Sequence, residues 1–171
     1  VMEQRLRVFV QGLSEQLGQS IQAKVYVDTG PMLDRAVAER ASIGWFGKNT
    51  NILTSSHGSW LFLGQVITDL ELEPEKPSKK TCGQCTLCID KCPTGAIVAP
   101  YVIDNTKCIS YLTIECRGSG PHYLRPLIGD WVFGCDICQD VCPVNRKAQS
   151  TREPAFQTGE HGFTSLELLP L

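Results

Sequence analysis

Two runs of cysteine, each closing on Cys-Pro, constrain what this chain can fold into more than any other feature. The first reads Cys82-Gly-Gln-Cys85-Thr-Leu-Cys88-Ile-Asp-Lys-Cys92-Pro93. The second reads Cys135-Asp-Ile-Cys138-Gln-Asp-Val-Cys142-Pro143, and Cys108 and Cys116 lie between the two. A disulfide framework belongs to an oxidising compartment, and nothing at the N-terminus resembles a secretory leader. A zinc site takes four ligands, commonly from two C-x2-C pairs, so runs this rich in thiols over-supply it.

The spacing C-x2-C-x2-C-x3-C-P is the one with which bacterial ferredoxins hold iron–sulfur cubanes, the fourth cysteine of each run serving the other cluster. A 4Fe–4S cluster takes four thiolates, so two clusters take eight. Two-residue spacers let a tight turn aim Cys82, Cys85 and Cys88 at one cluster. Cys92 starts a new element, with Pro93 suited to a first helical turn, and serves the second cluster. By the same logic Cys135 and Cys138 serve the second cluster while Cys142 returns to the first. The second run is one cysteine short. Cys108 or Cys116 fills the vacancy, and the other is spare, as a small buried apolar residue.

Composition sets the remaining bounds. The 171 residues suffice for one or two domains with a core, and 42% hydrophobic with 20% charged residues describes an ordinary soluble globular protein. A formal charge of −2 gives no hint of a nucleic-acid binder, so any RNA contact must be a local basic patch. No apolar run reaches membrane-spanning length. Reduced thiols without a leader predict a cytoplasmic location.

Three zones follow along the chain. Residues 1–73 read as α/β. Leu6, Phe9, Val10, Leu13 and Leu17 recur at helical spacing, and residues 24–28 alternate as a strand. Pro31 predicts the first turn of a helix reaching Ala41. Residues 51–54 and 59–68 read as two strands joined by the turn Ser55-Ser56-His57-Gly58. Residues 74–80, polar and containing two prolines, form a linker. Residues 81–148 are the cluster module, with 42 residues between Cys92 and Cys135, long for a bare ferredoxin. Residues 149–171 open a C-terminal region in which Leu166, Leu168 and Leu169 suggest the start of a helix.

The blocks Val27-Asp-Thr-Gly-Pro31, Gly44-Trp-Phe-Gly-Lys-Asn-Thr50, Gly58-Ser-Trp60, Ile67-Thr-Asp-Leu-Glu71, Cys92-Pro-Thr-Gly-Ala96, Cys108-Ile-Ser-Tyr-Leu-Thr-Ile-Glu115 and Gly134-Cys-Asp-Ile-Cys-Gln139 together resemble the epoxyqueuosine reductases. The resemblance covers residues 24–148. It implies an α+β molecule: part of an α/β cobalamin-binding domain followed by a ferredoxin-like module with two 4Fe–4S clusters. The implied activity is reduction of the epoxide of epoxyqueuosine in a tRNA anticodon, fed by a low-potential electron donor. The family is longer at both ends, so the chain reads as its core region.

The resemblance also implies site residues. Cys92, Cys108, Cys135 and Cys138 hold one cluster, and Cys82, Cys85, Cys88 and Cys142 the other, which leaves Cys116 spare. Asp28 is the proton donor to the oxygen released when the epoxide opens. A free aspartic acid titrates near ~3.9, so that role calls for burial or a nearby negative charge; otherwise Asp28 would be a turn carboxylate capping the following helix. Cobalamin contacts fall on Asp28, Arg35, Lys48, Asn49, Leu53, Ser110 and Asp136. His57, His122 and His161 lie outside the Asp-x-His-x-x-Gly pattern that supplies an axial histidine, in line with a cobalamin lacking a protein axial ligand. Arg117, with His122, Tyr123 and Arg125, offers charge and ring faces to RNA. Two rival readings are a reductive dehalogenase, which would carry an export signal and a tyrosine acid, and a plain electron-transfer ferredoxin.

Overall fold

The computed structural model describes residues 1–154. The helix expected near Leu166, like His161, lies outside the described residues.

Helix α1 (Met2–Leu17) forms where the apolar spacing predicts it and ends on Gly18 in the left-handed conformation. The chain returns as β1 (Ala23–Tyr26), then enters α2 (Asp34–Arg40). This helix starts three residues after Pro31, because residues 28–32 are bends and Asp28 has φ 58°. β2 (Trp45–Phe46) pairs antiparallel with β3 (Ile52–Leu53), Trp45 opposite Leu53. β4 (Gln65–Thr68) pairs antiparallel with β1, with Tyr26 opposite Gln65.

The hairpin expected between residues 51–54 and 59–68 is therefore corrected. A single bridge, Thr54 to Gly58, closes the turn after the first of them, and β3 and β4 belong to different sheets. Residues 60–64 are irregular, and Gly64 lets the backbone pass close beneath Leu6 of α1. That crossing carries the chain from one sheet to the other.

After the irregular residues 69–86 come α3 (Leu87–Asp90), the hairpin β5 (Ile97–Ala99) and β6 (Val102–Ile103), α4 (Ile109–Ile114), α5 (Arg125–Ile128) and α6 (Ile137–Asp140). Three short 3-10 turns, Asn105–Lys107, His122–Leu124 and Pro143–Lys147, link or follow them. The long stretch between Cys92 and Cys135 is thus a folded β-hairpin-and-helix layer.

Each sheet among the described residues has two strands, which is marginal in isolation. Among the described residues the buried apolar ones are few: Ala38, Trp45, Ile52, Leu53, Ala96, Ile97, Ile109 and Leu124. A module with so small a core needs staples, and bound metal clusters are one kind. Among the described residues no helix is long and apolar enough to cross a membrane.

The two zones flanking the linker interlock. The Ser59 backbone N–H donates to the Asn145 Oδ1 (2.7 Å), the Asn145 amide donates back to Ser59 Oγ (2.8 Å), and Ser59 Oγ donates to Gln139 Oε1 (2.8 Å). Gly58 sits at φ 60° beside this clasp, where a Cβ would overlap the Asn145 amide.

Candidate functional site

The first cysteine run opens as a turn, the Cys85 N–H donating to the Cys82 carbonyl (3.2 Å), and continues into α3, which carries Cys88. The second repeats the pattern, with Cys135 preceding α6 and Cys138 on it. α3 packs against α6, so two similar turn–helix units face each other. Cys92 and Cys142 follow the two helices, and each leads into a proline that turns the chain away.

This arrangement sorts the thiols into two sets. Cys82, Cys85, Cys88 and Cys142 ring one cavity, floored by Lys48, Asn49, Leu53, Leu87 and Pro143. Burial raises the Cys88 thiol, and negative charge on Cys82, Cys142 and Cys85 raises it further. Around Cys135, burial again comes first as a raising cause, followed by the charges of Cys108, Cys92 and Asp136, against a backbone N–H that lowers it. Cys138 is pushed up to about 12 by burial, then by Cys135, Cys108, Cys88 and Cys92. Thiols so raised become ligands at neutral pH only when a metal takes the place of their protons. The mutual influence of Cys92, Cys108, Cys135 and Cys138 sets them together, and Cys88 lies near enough to join the two sets. Cys116, at the end of α4, bonds through its backbone N–H to Tyr111 and is not among the groups that perturb these thiols.

No three His, Cys, Asp or Glu side chains among the described residues converge on a single-ion site. A cubane spreads its thiolate ligands over four iron corners, further apart than the ligands of one ion. Within the second set the Ala96 N–H points at Cys92 Sγ (3.3 Å), a bond that stabilises a ligating thiolate.

The remaining expected site residues separate by burial. Asp28 is exposed, on the bend after β1, and its φ of 58° is uncommon for a side-chain-bearing residue. Of the two conditions expected of a proton donor, burial or a nearby negative charge, the fold by itself does not bury Asp28. Arg35 is exposed on α2; its guanidinium donates to the Thr50 carbonyl (2.9 Å) and hydroxyl (3.1 Å), bracing the Gly47–Asn51 turn. Ser110 is half-buried on α4, while Asp136 is exposed and accepts a hydrogen bond from the Gln139 amide (2.6 Å). Arg117 is exposed in the layer between the cysteine runs.

Lys48, Asn49 and Leu53 are placed differently from a ligand-facing set. Leu53 is 1% exposed, a core residue. The Lys48 ammonium donates to the carbonyls of Gly83 (2.8 Å) and Cys85 (2.9 Å), and the Asn49 amide donates to that of Cys138 (3.1 Å). The turn that the resemblance assigns to cobalamin thus has its polar ends engaged with both cysteine runs. Sequence reasoning also missed the Ser59–Gln139–Asn145 clasp. Its signal was faint: two short polar blocks far apart in the chain.

Two facing turn–helix cysteine units interlocked with an α/β layer have the architecture of a double iron–sulfur module. The family model "4Fe-4S double cluster binding domain" matches residues 81–145. The chain resembles the epoxyqueuosine reductases over nine-tenths of its length. The epoxyqueuosine reductase of Cellulophaga algicola is 45% identical over 156 residues, 91% of this chain and 51% of the relative. A crystal structure of epoxyqueuosine reductase with an epoxyqueuosine-modified tRNA-Tyr stem loop superposes with TM-score 0.80 at 42% identity, covering 90% of this chain and 41% of that one. A structure of the Bacillus subtilis enzyme with its catalytic aspartate loop swung out of the active site gives TM-score 0.78 at 40% identity, covering 90% and 41%. The chain spans about half the length of the curated relative.

Proposed function

We propose that this chain serves in the reduction of the epoxide of epoxyqueuosine in tRNA to queuosine, in the cytoplasm, with electrons from a low-potential donor. The observation that carries the reading is the pair of cysteine tetrads interlocked with an α/β layer, in a chain whose relatives are epoxyqueuosine reductases. Converting the epoxide to an alkene consumes two electrons and two protons and releases water. Clusters, when bound, supply one-electron transfer, and cobalamin, when bound, supplies the low-potential reductant at the substrate carbon.

The chain's own residues divide the work. Cys82, Cys85, Cys88 and Cys142 hold one cluster; Cys92, Cys108, Cys135 and Cys138 hold the other. Asp28 delivers a proton to the epoxide oxygen as its carbon–oxygen bond breaks. A left-handed aspartate on a bend is a local strain of the kind that functional loops retain, and it leaves the carboxyl open to a bound substrate. Contact with the cofactor and substrate would supply the water exclusion that Asp28 lacks here.

For cobalamin, the fit is with the accessible residues. Asp28, Arg35, Ser110 and Asp136 present polar ends that a corrin's amides and phosphate tail could meet. Lys48, Asn49 and Leu53 support that surface from below, being engaged with the cluster loops. Arg117, exposed and cationic, is placed in the RNA contact.

Anaerobic reconstitution with iron, sulfide and cobalamin, followed by turnover on epoxyqueuosine-containing tRNA, tests the reading. Queuosine should form with the unsubstituted chain. Intact clusters and corrin absorbance with no product would sink it.

A further inference from the structure

We propose that Lys48 is the counter-charge of the Cys82/Cys85/Cys88/Cys142 cluster and raises that cluster's reduction potential. The inference rests on the reading of those four cysteines as one cluster's ligands.

The geometry begins with burial. Lys48 is 9% exposed, and its ammonium is fixed by the carbonyls of Gly83 and Cys85, inside the loop that carries three of the four thiols. It lines the cavity those thiols ring. A buried ammonium normally requires an anion. Among the described residues no Asp or Glu oxygen forms an ion pair with it; the pairs present are Arg5–Glu153, Arg7–Glu3 and Lys107–Asp104. Two neutral carbonyls accept two of its three hydrogens and leave its charge uncompensated.

A cubane with four thiolates carries net charge 2− when oxidised and 3− when reduced by one electron. It is the missing anion. Reduction adds one electron and no proton, so the added negative charge is stabilised by the fixed cation beside it. Charge close to a cluster is one of the levers that set its potential. Around the second set the charges next to the ligands in sequence are mixed, Asp136 after Cys135 but Lys91 before Cys92 and Lys107 before Cys108, and the side chain that reaches the Cys138 carbonyl is the neutral Asn49.

The test is a potentiometric titration of the reconstituted full chain, followed by electron paramagnetic resonance with dithionite as reductant. Lys48→Gln keeps a hydrogen-bond donor without the charge, and Lys48→Arg keeps the charge. A Cys88→Ser variant identifies which of the two waves belongs to the first cluster. In Lys48→Gln, the reduced-to-oxidised ratio of that wave at a fixed ambient potential should fall about tenfold, a shift of about 59 mV for one electron. The other wave should move much less, and Lys48→Arg should behave as the parent. Equal shifts in both waves, or none, would overturn the proposal. If Lys48→Gln loses iron while Lys48→Arg keeps it, the cation is required at that cluster, which supports the counter-charge. Loss of iron from both overturns it, since Lys48 is then a brace. A parent chain holding a single cluster would instead remove the ligand reading beneath the proposal.

Discussion

Asp28 is the residue to which the proposed reduction assigns the proton for the epoxide oxygen. Replacing it with Asn keeps the size and the turn preference but removes the transferable proton, so turnover on the tRNA substrate should fall by about 10²–10⁴-fold. Iron content and corrin absorbance should stay unchanged in the same preparations; a normal rate would free Asp28 of its role. Cys108 and Cys116 make a second contrast. Spacing alone left them equal candidates, because both lie between the runs and a loop of either length could reach. The fold distinguishes them: Cys108 caps α4 beside Cys135, whereas Cys116 sits at the far end of that helix. Cys108→Ala should therefore reduce iron from about eight to about four per chain, and Cys116→Ala should leave about eight. Iron loss in the second variant alone would reverse the assignment.

Among the elements, the turn that opens the first cysteine run was legible from its spacing, whereas the short helices α3 and α6 were not, and the first helical turn expected at Pro93 is a plain turn leading into β5. Helix α1 was legible from its apolar stripe. The pairing of β4 with β1 was not, because the alternation of residues 59–68 says where a strand can form but not which neighbour it meets. Gln65 shows why: it is buried opposite Tyr26 and donates to Asp34, so a polar residue occupies an inward position. The clasp of Ser59 with Gln139 and Asn145 was equally hidden, as its partners are 80 and 86 residues away in sequence. Ser59→Ala leaves the Gln139 and Asn145 side chains without their shared hydroxyl, at a cost of about 1–3 kcal/mol. The check is faster bleaching of cluster absorbance under denaturant than in the parent; an unchanged rate would show that the clasp does not hold the second run.

For the whole molecule, the few buried apolar residues and the two-stranded sheets tie folding to the clusters. Without iron, the pH dependence has a definite sign. The Cys138 thiol is raised in the fold, from 9.0 to about 12, so its protonated form is favoured there. Its contribution to stability is fully present below pH 9 and is lost as pH rises towards 12. The iron-free chain should thus unfold more readily over that range, measured by circular dichroism; a flat profile would contradict the burial of Cys138. Assembly runs the other way, since each ligand must release a proton to bind iron, and it should become more favourable as pH rises from neutrality. Iron and acid-labile sulfide counted on anaerobically reconstituted protein test the central claim most directly. Two cubanes per chain require about eight of each. About four of each, or zinc in their place, would contradict the account.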